Sequence, residues 1–224
     1  MRWVQGRRRT HTVPFRDRAD AGRRLAELPV WGELHRPIVL GLPRGGMPIA
    51  AAVAERLDAD LDVFVAHKVG APGRPELGIG AIAEGSDVVV IADTAAALRI
   101  EPEQVEAAAV GVRAEVVRRT ETYRGGRALP VLAGRDVIVV DDGIATGVTA
   151  EAALRALRAQ HPRRLILATP VCAPEARAHL SHLADQVICV LLPADFMAVG
   201  SWYDDFAQTT DEEVVNLLRR PAPP

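Results

Sequence analysis

Aromatic side chains are scarce in this chain: Phe, Trp and Tyr make up 4% of its 224 residues, so the core has to be aliphatic. Cysteine is nearly absent. Cys172 and Cys189 are too few for a disulfide scaffold, and each sits in an apolar run. They read as buried free thiols in a reducing cytosol. No apolar run exceeds the length of a strand, which predicts neither a membrane span nor a secretory leader. Charge of one sign is also lacking. A formal net charge of −2 and a pI near 6.3 exclude a general pull toward nucleic acid or acidic membranes. The local basic patch Arg2, Arg7, Arg8 and Arg9 has no basic partner elsewhere and reads as a solvated tail.

What is present is a globular mixture, 49% hydrophobic and 25% charged, of a length suited to one domain. Strand-like apolar runs alternate with helix-like stretches, the pattern of a parallel sheet with covering helices. The spacing predicts strands at Ile38–Leu42, Leu61–Ala66, Asp136–Asp141, Arg164–Pro170 and Gln186–Leu191. Helices are predicted at Asp20–Leu28, Met47–Leu57, Val148–Gln160, Pro174–Leu183 and Asp211–Arg219, with a long one over Glu101–Thr122. In that long helix Val105, Ala109, Val112 and Val116 share a face. Val69–Gly80, with Pro72, Gly73, Pro75, Gly78 and Gly80, reads as a mobile loop, and Ala81–Glu84 with Val88–Ile91 as a hairpin. Pro221–Pro224 reads as a frayed end.

Chemistry concentrates in the run from Val137 to Thr149. Four β-branched apolar residues, Val137 to Val140, form a buried strand; Asp141 and Asp142 close it; a turn with Gly143 and Gly147 follows; then a helix begins. A strand that runs through a glycine turn into a helix start gathers free backbone N–H groups and the positive helix end at one point, which makes a phosphate cradle. The two glycines are expected to supply left-handed torsions and close backbone approach, and Thr146 and Thr149 hydroxyl donors. A Walker A loop is excluded, because no Lys precedes the final Thr. A dinucleotide fingerprint is excluded too, because G-x-G-x-x-G is absent here. Two other strand ends carry unusual residues: Pro43-Arg44-Gly45-Gly46, a glycine turn with a guanidinium fork, and His67-Lys68.

The run Val137–Thr149 resembles the 5-phosphoribosyl-1-diphosphate (PRPP) signature of type I phosphoribosyltransferases: four apolar residues, two acidic residues, then Thr-Gly-x-Thr. Leu42–Pro48, Lys68–Glu84, Tyr123–Gly126 and Ala198–Val215 are similar to a bacterial group of such proteins. The resemblance implies an α/β fold: an open parallel sheet with helices on both faces and a small hood from the C- and N-terminal segments. It implies a single domain over 1–224, with a core of about 12–192 and a hood of about 193–210. Asp141 and Asp142 would meet the ribose hydroxyls and, through water, Mg²⁺. Gly143, Ala145, Thr146, Gly147, Val148 and Thr149 would hold the 5-phosphate. Pro43, Arg44, Gly45, Gly46 and Lys68 would hold the diphosphate, and Val69–Gly80 would close as a lid.

The implied activity is that of a pentosyltransferase of nucleotide metabolism. It would be a cytoplasmic, Mg²⁺-dependent enzyme that moves ribose 5-phosphate from PRPP to a nitrogen of a planar acceptor and releases diphosphate. Neither nucleic acid nor membrane is expected as a partner, and a homodimer is expected by analogy with relatives. Asp141, Asp142, Lys68 and Arg44 are the implied catalytic set. Phe196, with Trp202 and Tyr203, could stack on the acceptor. Ala145 stands where enzymes of 6-oxopurines carry an Asp, which weakens a hypoxanthine or guanine reading and removes the obvious general base. The alternative is a non-catalytic PRPP- or nucleotide-sensing protein on the same fold. His67 reads as structural, and Arg118, Arg119 and Arg124 as solvated helix-end charges. His179 and His182 read as surface residues, and Glu76 as a residue that could meet substrate on closure.

Overall fold

A computed structural model describes residues 15–86 and 89–219. The basic N-terminus, Val88, the side chain of Glu76 and the Pro221–Pro224 end lie outside the described residues.

The chain begins with α1 (Arg18–Ala26), capped by Asp17, whose carboxylate accepts from the Asp20 N–H at 2.7 Å. Then come β1 (Ile38–Gly41), α2 (Gly46–Leu57) and β2 (Asp60–Val63). An inserted unit follows: β3 (Ala66–Ala71), β4 (Arg74–Ala83), β5 (Val90–Ile91), α3 (Asp93–Ala97) and α4 (Pro102–Arg124). The chain returns through β6 (Asp136–Val140), α5 (Val148–Arg158), β7 (Arg164–Val171), α6 (Pro174–Leu180) and β8 (Gln186–Leu191). It ends with a 3₁₀ turn at Val199–Trp202 and α7 (Asp211–Leu218).

Five strands form one parallel sheet in the order β2-β1-β6-β7-β8. Strand alternation divides the core between its faces. Val39, Ile138, Val140, Ile166 and Ala168 pack with Leu25 of α1 and Ile49 and Val53 of α2. Leu40, Val137, Val139, Leu165 and Leu167 pack with Leu154 and Leu157 of α5 and Leu180 of α6. Both faces are therefore buried, as the unbroken β-branched runs require. Cys172 is buried and Cys189 half-buried, both free thiols. Among the described residues no helix is long and apolar enough to cross a membrane.

The inserted unit corrects the expectation of a mobile loop. Ala66–Ala71 and Arg74–Ala83 pair as an antiparallel hairpin around Pro72–Gly73, and β4 pairs in turn with β5 through Gly80↔Ile91 and Ala81↔Val90. The alternating apolar residues Val69, Ala71 and Ile79 find partners on α4 in Val105, Ala109 and Val116. That burial outweighs the turn-forming tendency of the glycines and prolines, and irregular register at Val69–Gly70–Ala71 accommodates them.

Arg124 is a second correction. It is buried, 5% exposed, at the end of α4. Nη2 donates to the Val63 carbonyl at 2.6 Å and to Glu84, and Nε to Asp62 at 3.3 Å. Glu84 also accepts from the Thr120 hydroxyl at 2.9 Å. This network fastens β2, the base of the hairpin and α4 together. Arg118 and Arg119, by contrast, lie outward and share Glu115. Arg124→Ala would leave two buried carboxylates without their cation, an expected loss of about 3–5 kcal/mol of stability. A urea unfolding midpoint unchanged by the substitution would contradict this account of the insertion.

Candidate functional site

The polypeptide leaves β1 toward one edge of the sheet and β6 toward the other, and α2 and α5 lie on opposite faces. A crevice therefore opens where the ends of β1 and β6 stand side by side, at the point where strand order reverses. Gly41 and Val140 are in register, and Leu42 N–H donates to Val140 O at 2.8 Å. The loops that follow are pressed together. A Cβ on Gly46 would come within 2.5 Å of the Val140 carbonyl oxygen, and one on Gly45 within 1.9 Å of Asp142 Oδ2. Only glycine fits at either position. The Pro43–Arg44 peptide is cis.

Beside this contact lies a cavity of about 410 Å³. Its floor is Asp141 and the segment Gly143–Ala150; its walls are Lys68 of β3, Leu77 and Gly78 of β4, Thr94 of α3 and Val199 of the C-terminal turn. Gly147, at φ +80°, opens α5, and no side chain caps that helix. Its first N–H groups thus face the cavity together with Thr146 and Thr149, an arrangement suited to an anion. Gly143 does not use the left-handed torsion expected of it. Its necessity is spatial, because a Cβ there would meet Val199 Cγ1 at 2.2 Å.

The two carboxylates are in different surroundings. Asp141 lines the cavity, accepts from the Asp142 N–H at 2.9 Å, and has its pKa pushed up to about 8, first by burial and then by the neighbouring Asp142. Burial raises Asp142 as well, but Arg18 opposes it: Nε donates to Asp142 Oδ2 at 2.8 Å, and Nη2 lies 2.8 Å from the same oxygen. Burial and its neighbour thus favour the neutral form of Asp141, whereas Arg18 favours the ionised form of Asp142.

The remaining expected residues divide. Lys68 and Gly143 to Thr149 line the cavity; Pro43, Arg44, Gly45, Gly46, Asp142 and Phe196 do not. Arg44 points to Asp211, 3.7 Å away, which also accepts from the Tyr123 hydroxyl at 2.7 Å. Phe196 packs at the junction of two core clusters. Tyr203 is buried, stacks between Phe15 and Phe206, and donates its hydroxyl to the Asp142 carbonyl at 2.5 Å, so it belongs to the hood's own core. His67 contacts the adjacent Lys68 carbonyl, and His179 pairs with Glu151 on the surface.

Among the described residues no cluster of three or more His, Cys, Asp or Glu could hold a metal. Asp141 alone could offer one carboxylate to a divalent cation that brings its other oxygen ligands from water and phosphate, the usual habit of Mg²⁺. Leu77 and Val199 lie in the segments expected as lid and hood, whereas Arg18 and Thr94 were not legible as site residues. Arg18 meets the signature from 124 positions away, and no local pattern marks it or Thr94.

The family model for the phosphoribosyl transferase domain matches residues 18–204. A Mycobacterium tuberculosis protein that carries the name phosphoribosyl transferase is 43% identical over 206 residues, 92% of this chain and 46% of its own length. This chain thus spans about half of that relative. The crystal structure of TT1426 from Thermus thermophilus shares 45% identity, covers 91% of this chain and 97% of its own, and superposes with a TM-score of 0.75.

The raised pKa of Asp141 sets a pH dependence. A carboxyl that keeps its proton in the folded state up to about pH 8, and loses it near pH 4 when unfolded, makes stability fall as pH rises between those values. Asp141→Asn is expected to raise the melting temperature of the ligand-free protein, by several degrees more at pH 8.5 than at pH 5. Equal shifts at the two pH values would contradict the buried, protonated assignment.

Proposed function

The chain belongs to the phosphoribosyl transferase family, and from that premise we propose that it binds PRPP and transfers its ribose 5-phosphate to a nitrogen of a planar acceptor, with release of diphosphate. One observation carries the reading: a strand-end cavity in which an uncapped helix start, Thr146, Thr149 and Lys68 converge on one carboxylate, Asp141.

The N–H groups at the start of α5 and the two Thr hydroxyls would hold the 5-phosphate. Lys68, on the hairpin wall, would take the charge that develops on the departing diphosphate, with the loop 43–46 beside it. Arg44 would have to exchange Asp211 for the ligand. Asp141 would bond a ribose hydroxyl and, once ionised, favour positive charge at the anomeric carbon. Mg²⁺, which Asp141 would help to hold with the ligand's own oxygens, would supply charge neutralisation when bound. Leu77 and Gly78 place β4 over the cavity, where the hairpin would exclude water from a hydrolysable intermediate. The acceptor would lie toward Ala145, Leu77 and Val199, an apolar boundary without an acid for a 6-oxopurine ring. The two free thiols support a reducing cytosol as the compartment of the proposed activity.

A second reading, PRPP sensing without transfer, has its own support. Among the described residues Asp141 and Lys68 are the titratable ones that line the cavity, and neither is an evident base for the acceptor.

Calorimetry with PRPP and MgCl₂, followed by diphosphate release across a panel of nucleobases, tests both. Saturable binding is expected, with diphosphate released for at least one base. Binding without diphosphate from any base would favour the sensor, and absence of binding would defeat both readings. Thr146→Val removes a donor to a charged phosphate and is expected to weaken binding by roughly tenfold or more. An unaltered dissociation constant would remove Thr146 from the cradle.

A further inference from the structure

Asp142 is shut in on three sides. Arg18 Nε and Nη2 both reach Oδ2, each at 2.8 Å. Gly45 approaches the same oxygen so closely that a Cβ would stand 1.9 Å from it. Tyr203 fixes the main-chain carbonyl of Asp142 at 2.5 Å. Arg18 is itself immobilised: Nη1 donates to Ala207 O at 2.6 Å, the guanidinium lies 3.9 Å from the centre of the Phe206 ring, and the side chain is 11% exposed. The segment carrying it is laced to the hood, with Phe15 N–H donating to Trp202 O at 3.2 Å and Asp204 N–H to Phe15 O at 2.9 Å.

We infer that Arg18 is a positioning residue of the site that acts through Asp142: it sets that carboxylate against the loop 43–46 and ties the loop to the hood, while Asp141 alone of the pair meets the ligand. The inference rests on the PRPP reading above and deepens it. An unpaired carboxylate beside Gly45 would repel the diphosphate proposed to bind there, and the Arg18 charge removes that repulsion. Nε donates to Oδ2 while Nη2 stands beside the same oxygen, so a planar guanidinium held at its far edge by Ala207 O meets the carboxylate from one direction, a contact that the single ammonium of a lysine does not reproduce.

The test is a double-mutant cycle read by calorimetric titration of PRPP, with and without MgCl₂, alongside urea unfolding of each variant. Arg18→Gln and Asp142→Asn are each expected to weaken PRPP binding about tenfold. The double variant should be no weaker than the weaker single one, because each loss is the loss of the same arrangement. Arg18→Lys should recover only part of the affinity. Asp141→Asn should weaken binding further, abolish its dependence on Mg²⁺, and combine multiplicatively with Arg18→Gln. Should Arg18→Gln unfold the chain by orphaning a buried carboxylate, the double variant, which leaves no charge unpaired, and Arg18→Lys still close the comparison.

Multiplying losses for Arg18→Gln and Asp142→Asn, or Mg²⁺ dependence abolished by Asp142→Asn as by Asp141→Asn, would overturn the positioning role while PRPP binding stands. Failure of the wild type to bind would overturn the PRPP reading beneath it.

Discussion

The site depends on the close approach of two loops at the ends of adjacent parallel strands. β1 and β6 are hydrogen-bonded neighbours in register, yet their continuing helices depart to opposite faces. The backbone must therefore split at one point, and a gap bounded by N–H groups and helix starts results. Closing that gap to ligand dimensions requires loop-to-loop contact, and Gly45 and Gly46 permit it by having no Cβ to collide with Asp142 and the Val140 carbonyl. A side chain at either position would push β1 from β6 or turn Asp142 out of its place. Fold and site thus meet in a steric condition a few ångströms across.

The remaining walls come from elements outside the parallel sheet. The hairpin β3–β4 stands over the cavity and is held at its base, by Glu84 N–H to Val65 O at 2.8 Å and by the Arg124 network. Its outer end carries the exposed turn at Pro72–Gly73. A flap fixed at its root and solvated at its tip is suited to hinge without unfolding. On the opposite side the hood is held by aromatic contacts, by main-chain bonds between residues 15–16 and 202–205, by the Arg18 side chain and by packing on Val171, Val190 and Leu191. In a chain so poor in aromatics, these rings are spent on the hood's cohesion, with Tyr203 buried beneath Asp142 instead of facing an acceptor.

The parallel sheet was legible from the sequence because its strands are short, β-branched and bounded by turn residues. Gln186–Leu191 appears with the expected ends, and β6 stops one residue short of the expected Asp141. The segment Gly143–Thr149 that lines the cavity was legible for the same reason, being contiguous. The hairpin was not. Its glycines and prolines signal a loop locally, whereas its pairing depends on burial against α4, a helix that begins some twenty residues later. Arg124 resembled any helix-end cation, since its carboxylates are 62 and 40 positions away. The pairing of Arg18 with Asp142 escaped notice for the same reason. Local chemistry could be read from local sequence; contacts that long closures bring together could not.

The electrostatics of the cavity follow from these long closures. Two adjacent carboxylates at an anion-binding site would oppose the ligand they are meant to serve. Each charge is disposed of differently. Burial and proximity push the Asp141 pKa upward, and Arg18 offsets Asp142. The start of α5, the hydroxyls of Thr146 and Thr149, and Lys68 also line the cavity, donors suited to the proposed phosphate. A cation arriving with the ligand would restore the ionised form of Asp141, because a positive charge nearby favours the carboxylate that burial had disfavoured. On the proposed reading the pair would be silent toward an anion alone and would respond to an anion accompanied by a divalent ion. Such discrimination is what the proposed sugar diphosphate would require, and it would come from the unequal surroundings of Asp141 and Asp142.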